Sequence, residues 1–198
     1  MKFKISKEYY DGIKLYKKVN IEFNKGVTIL IGCNGIGKTT LLNEIAEMCE
    51  NKDIPYISLD KNDLNERTMS KYLHRQAYDI VATLFGASEG EKVSVNLSAF
   101  FGSIREKILK HKNEEMFILL DSTDSGLDDC GIGELKDTFE LILQDCPNAY
   151  IIVSSNNYAY TIDEPCFQLP DCKYVNINSY DDYKKCIVKS YEYKMERG

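Results

Sequence analysis

No run of eighteen or more apolar residues occurs in the 198-residue chain, so it holds no segment long enough to cross a bilayer as a helix. The N-terminal MKFKISKEYY alternates in polarity and lacks the apolar core of a secretory signal. Both absences point to a soluble, cytoplasmic protein without membrane insertion. The 7 cysteines include no C-x-x-C pair and their number is odd, which argues against a zinc site and a disulfide framework. They are expected to be reduced and mostly buried. Cys33 is the exception, because it falls within a glycine-rich loop where oxidation would block a ligand. Positive charge is also short: a net charge of -6 excludes a surface that acts throughout as a nucleic-acid glove, although a local basic patch is compatible with it. There are no repeats and no low-complexity linker, and the length suits one core, so residues 1–198 read as a single domain.

What is present is an alternation of strand and helix signals. Lys2 to Ser6 and Val19 to Phe23 alternate as strands do, and Val27 to Ile31 is a continuous apolar run suited to a buried central strand. Thr39 to Cys49 places Leu41, Leu42, Ile45, Ala46 and Cys49 on one helical face. A strand over Ile54 to Leu59, a polar loop over Asn62 to Thr68 and helices over about Met69 to Phe85 and Ser88 to His111 follow. Phe117 to Leu120 and Tyr150 to Ser154 are further apolar strands, with a helix over Ile132 to Leu143 between them. Edge strands are expected around Phe167 to Leu169 and Tyr174 to Ile177, then a Tyr- and Lys-rich helix from Tyr180. Strands alternating with helices predict an α/β fold with a mainly parallel central sheet and an antiparallel β flank.

The strongest chemical signal is Gly32-Cys33-Asn34-Gly35-Ile36-Gly37-Lys38-Thr39, a full G-x-x-x-x-G-K-T phosphate loop lying between an apolar strand and an amphipathic helix. Its glycines let the backbone curl so that N–H groups converge on phosphate oxygens, and the helix N-terminus adds a favourable dipole. Lys38 is expected to reach the β- and γ-phosphates of ATP and Thr39 to place a hydroxyl on Mg2+. Phe117 to Asp121 is an apolar strand ending on a carboxylate that can meet the same ion through water.

The wording G-x-N-G-x-G-K-T-T-L, which extends the loop by Thr40 and Leu41, resembles the ABC and SMC/Rad50 ATPase family. Ser125-Gly126-Leu127-Asp128, just after Asp121, is identical to that family's D-loop. The resemblance covers about Tyr10 to Asn156 and implies a P-loop NTPase fold of the ABC type. It also implies an ATP-dependent homodimer that traps two nucleotides, each site completed by a signature loop from the partner. Ser88-Glu89-Gly90-Glu91 is similar to that signature, with Ser88 and Gly90 as its γ-phosphate ligands; the same residues also spell a capping box. Tyr10, or next Tyr9, stands where the family stacks an aromatic on adenine. No glutamine follows the strand Ile54 to Leu59; Asp60 ends it instead, as a candidate for water-mediated contact with Mg2+.

Two family residues are replaced. The glutamate expected after Asp121 is Ser122, whose hydroxyl cannot act as a base at neutral pH, and the switch histidine is matched by Asn156, which hydrogen-bonds but does not titrate. His74 and His111 lie apart from these motifs and read as surface residues. Three outcomes stay open: slow hydrolysis by positioning and charge, a substitute carboxylate such as Asp124, or binding without turnover. The expected function is a weak ATPase or ATP-dependent switch presenting a surface to a macromolecular partner, a protein being one candidate. A small P-loop kinase is the alternative, weakened by the D-loop match and by scattered arginines (Arg67, Arg75, Arg105, Arg197). A subunit of a nucleic-acid-processing or transport complex is another. The span from Lys38 to Ser88 is short for a transporter's helical subdomain, and the cation clusters Arg105, Lys107, Lys110 and Lys112, and Lys184, Lys185, Lys189, Lys194 and Arg197, read most simply as offsetting helix dipoles.

Overall fold

A computed structural model describes residues 1–6, 8–9, 12–60, 102, 105, 107–123 and 127–197. Its centre is a six-stranded sheet in the order β4-β5-β6-β3-β7-β8. The strands are β3 (Gly26–Ile31), β4 (Tyr56–Asp60), β5 (Met116–Asp121), β6 (Ala149–Ser154), β7 (Cys166–Gln168) and β8 (Lys173–Val175). All neighbours pair in parallel except β7 and β8. Strands β1 (Lys2–Lys4) and β2 (Asn20–Glu22) form a separate antiparallel pair. This is the mainly parallel α/β fold with an antiparallel flank that the sequence predicts.

The central strands are apolar along both faces because both faces are covered. Their alternation divides the core in two. Ile29, Ile31, Ile118, Leu120, Ile151 and Val153 point to one layer, with Phe139 and Leu135 of α2 (Asp129–Asp145). Leu30, Phe117, Leu119, Tyr150 and Ile152 point to the other, with Leu41, Leu42 and Ile45 of α1 (Lys38–Asn51) and with Phe3, Ile21 and Phe23 of the small sheet. Phe117 stacks on Tyr150 at 4.5 Å between ring centroids and meets Phe3 edge-on at 5.4 Å, which joins the small sheet to the large one.

Local chemistry sets the helix starts. Asp128 accepts the Gly131 N–H at 2.8 Å and caps α2, and Ser179 accepts the Asp182 N–H at 3.2 Å and caps α3 (Tyr180–Glu196). Helix α1 instead begins at Gly37, in the left-handed region at φ 111°, with no side-chain cap. Its first N–H groups are thus left to a ligand or to solvent. The helix expected over Met69 to Phe85, and the start of the one from Ser88, lie outside the described residues. Residues 107–110 are helical, and His111 follows in a turn, half-buried and 3.1 Å from Glu114 rather than fully on the surface.

All seven thiols are free, and five of them are buried. Cys33 is one of these: its side chain sits in the α1-side core cluster, so it is a packing residue and not the exposed thiol of the phosphate loop that the sequence suggested. Burial pushes the thiols of Cys166 and Cys172 up to about 12 and that of Cys49 up to about 11. In a native-state reaction with a thiol-specific disulfide reagent at neutral pH, Cys130, the exposed one, is expected to react first. Cys49, Cys166 and Cys172 should react only after denaturant is added, and mass-mapped rapid labelling of those three would contradict the packing described here.

Candidate active site

Because β3, β5 and β6 are parallel, their carboxyl ends lie along one edge of the sheet, where ligands of open α/β sheets bind. Three functional segments start there. The loop after β3 carries Gly32 to Gly37, β5 ends on Asp121, and the chain after β6 carries Asn156. The register sets Ser154 beside both Asp121 and Leu30. A cleft of about 250 Å³ opens on this edge, between the phosphate loop and the ends of β5 and β6.

Lys38 is the organising side chain. It is buried, and its ammonium donates to the carbonyls of Gly32 at 2.7 Å and Cys33 at 3.4 Å and to Asn156 Oδ1 at 2.8 Å. An ammonium taken out of water must find such partners, and these hold it at the mouth of the loop, where a phosphate oxygen could share it. Gly37 is required sterically as well as conformationally: a Cβ there would lie 3.0 Å from the Tyr16 hydroxyl and 3.2 Å from Leu15 Cδ1. Asn34, Gly35, Thr39 and Thr40 also line the cleft, whereas the Ile36 side chain is wholly buried and only its backbone belongs to the loop's rim.

Thr39 Oγ1 donates to Asp121 Oδ2 at 2.7 Å. The other carboxylate oxygen accepts a short hydrogen bond from Ser154 Oγ. A hydroxyl and a carboxylate this close are two hard oxygen donors, a set that fits Mg2+ held by few protein ligands and completed by phosphates and water. Among the described residues there is no cluster of three or more His, Cys, Asp or Glu side chains that would suit a different metal. Ser122 also lines the cleft. It adopts φ 54°, and its N–H donates to Ser154 O at 3.1 Å and to Ser154 Oγ at 3.2 Å, so the peptide after Asp121 is fastened to β6.

The cleft therefore gathers Asn34, Gly35, Gly37, Lys38, Thr39, Thr40, Asp121, Ser122 and Asn156. Asp60 ends β4 in register beside Asp121, and only its backbone is described. Tyr10, Ser88, Gly90 and Asp124 lie outside the described residues. Tyr9 packs edge-on against Tyr16, with ring centroids 5.7 Å apart.

Several residues that touch the loop were not singled out for it from the sequence. Tyr16 donates to the Gly37 carbonyl at 2.6 Å, and burial raises its phenol well above the usual range, so it stays a donor at physiological pH. Ser154 orients Asp121. Lys194 and Arg197 do more than offset the α3 dipole: both donate to carbonyls of the phosphate loop. The spacing Ser190, Lys194, Arg197 is a helical i, i+4, i+7 face, and that was the available signal. For Tyr16 and Ser154 there was none.

An AAA domain family model matches residues 9–145. No curated protein has a significantly similar sequence. Among solved structures, cbiO1 from Clostridium perfringens, described as part of the ABC transporter complex cbiONQ, is similar at 15% identity and TM-score 0.52, covering 98% of this chain and 93% of that one. MJ1267 in its ADP conformation, an ATP-binding cassette of an ABC transporter, is similar at 14% identity and TM-score 0.54, covering 96% and 97%. MJ0796, an ATP-binding cassette in a dimeric post-hydrolysis state bound to ADP and Pi, is similar at 14% identity and TM-score 0.53, covering 91% and 100%. At such identity these structures speak to the fold, while the family model spans more than half of the chain: the protein belongs to the AAA domain family and has the P-loop NTPase fold of ABC-type ATP-binding cassettes.

Proposed function

We propose that the chain binds Mg-ATP in this cleft and acts as a slow ATPase or ATP-dependent dimerisation switch toward a macromolecular partner in the cytoplasm, with residues 1–198 working as one domain. The observation that carries the reading is the juxtaposition of Lys38 at the loop mouth, the Thr39–Asp121 oxygen pair and, next to Asp121, a serine in place of a carboxylate. Lys38 and the loop N–H groups would hold the β- and γ-phosphates. Thr39 and Asp121 would hold Mg2+, which neutralises phosphate charge when bound. Asn156 can hydrogen-bond the γ-phosphate through its amide, and as a neutral group it adds no titration near pH 7. Asp121, the one carboxylate among the described residues that line the cleft, would be taken up by Mg2+, and no second carboxylate described there takes the place of the missing glutamate, so turnover is set by positioning and electrostatics.

Dimerisation is supported by the fold shared with MJ0796, for which a dimeric, ADP- and Pi-bound state is described. Among the described residues no helix is long and apolar enough to cross a membrane. The nucleic-acid reading loses ground because Lys194 and Arg197, two cations of its basic cluster, are committed to the phosphate loop. The test is light scattering at tens of micromolar protein, where saturating Mg-ATP is expected to double the mass and ADP to leave it unchanged. A mass unaffected by Mg-ATP, while binding itself is demonstrated, would remove the switch and leave only a nucleotide-binding domain.

A further inference from the structure

Helix α3 runs along the carboxyl-terminal edge of the sheet and turns a single face to the candidate site. Tyr183, Ser190 and Lys194 lie on that face, and Arg197, the C-cap residue, continues it. Tyr183 donates to the Asn156 carbonyl at 2.7 Å. Ser190 is fully buried; its hydroxyl accepts the Cys33 N–H at 2.7 Å and donates to the Ile187 carbonyl at 2.7 Å. Lys194 donates to Asn34 O at 2.9 Å, and Arg197 donates to Gly35 O at 2.7 Å and to Ile36 O at 3.3 Å. Four successive residues of the phosphate loop are thus held through their backbones by three side chains of one helix.

The arrangement matters because of peptide geometry. In a trans peptide the carbonyl and the following N–H point in opposite directions, so fixing one fixes the other. Lys194 on Asn34 O turns the Gly35 N–H away from α3, and Arg197 on Ile36 O does the same for the Gly37 N–H. Tyr16 on Gly37 O continues the series to the Lys38 N–H. Charged donors on the outward carbonyls also polarise these peptide units, strengthening the N–H groups on the opposite side. Arg197 is itself braced: its guanidinium lies 5.9 Å from the centroid of the Tyr193 ring, and it donates to Leu15 O at 3.2 Å. Gly35 makes the approach possible, since a Cβ there would lie 2.9 Å from Lys194 Nζ.

We propose that Arg197 and Lys194, with Ser190 as their buried anchor, are positioning residues that hold the phosphate loop in its anion-binding conformation, so that affinity for the polyphosphate of a nucleotide depends on α3. This rests on the nucleotide reading of the cleft. The experiment measures Mg-ATP affinity by calorimetry and thermal stability side by side for wild type, Lys38→Ala, Lys194→Ala/Arg197→Ala, Arg197→Lys and Lys189→Ala. Lys189, on the same helix, pairs with Asp171 of the β7–β8 connection rather than with the loop and serves as the control.

The double variant is expected to lose about ten- to a hundredfold in Mg-ATP affinity, as removal of hydrogen bonds from charged donors would cause. Arg197→Lys should recover part of that loss, and Lys189→Ala should bind as wild type does. A double variant that binds within about twofold of a wild type that itself binds Mg-ATP overturns the proposal. So does an affinity loss that Arg197→Lys fails to relieve and that Lys189→Ala reproduces at equal loss of melting temperature, which would make α3 a general structural support. A wild type that binds no Mg-ATP at all overturns the nucleotide reading, and this inference with it.

Discussion

Lys38→Ala is expected to lower Mg-ATP affinity by about a hundredfold or more while leaving the fold intact. The loss is large because, among the described residues, Lys38 is the one cation lining the cleft, and its ammonium already spans the Gly32 carbonyl and Asn156. It therefore stands between the phosphate loop and the segment after β6, where a γ-phosphate would bring the two together. The fold should survive because the same substitution removes a buried charge: the cost of desolvating the ammonium disappears together with its hydrogen bonds to Gly32, Cys33 and Asn156, and the two offset each other. Calorimetric titration beside a melting curve checks both halves. Wild-type affinity in the variant would show that the loop does not grip phosphate through Lys38.

Ser122→Glu is expected to raise single-turnover phosphate release from Mg-ATP by about a hundred- to ten-thousandfold, the range a positioned general base contributes. The backbone asks little extra of the substitution. Ser122 is already a non-glycine residue at φ 54°, and a glutamate would bear the same left-handed strain that serine bears now. Its N–H would keep the bonds to Ser154 that fasten this peptide to β6, and the longer side chain would enter the cleft beside Asp121. If the variant binds Mg-ATP as the wild type does and releases phosphate no faster, the lost base is not what limits turnover. The burden would then fall on an incomplete site, such as one lacking a second subunit.

The parts of the fold legible in the sequence were those with a strong period. The apolar runs at Val27 to Ile31, Phe117 to Leu120 and Tyr150 to Ser154 lie in the three adjacent buried strands β3, β5 and β6, and the Leu41–Leu42–Ile45 stripe faces the sheet from α1. Strand order could not be read, because nothing local states that β6 inserts between β3 and β5. That insertion is what makes Ser154 a neighbour of Asp121 and brings Asn156 to Lys38. Lys38, Thr39 and Asp121 could be nominated because their spacing encodes a phosphate loop and a strand-end carboxylate. Tyr16 and Ser154 could not, since each meets the site only after the chain has closed on itself, while the helical spacing of Ser190, Lys194 and Arg197 marks a shared face without saying what that face packs against. Cys33 shows the converse: motif position suggested a ligand-facing thiol, and core packing turned it inward.

The most direct test of the account is an equilibrium titration of the wild-type chain with ATP in the presence and in the absence of Mg2+. One saturable site, tightened by magnesium and competed by ADP, is the predicted result, and it would establish the cleft between the phosphate loop and Asp121 as a nucleotide site. The absence of saturable binding at millimolar Mg-ATP, in a chain whose melting curve shows it folded, would contradict that claim.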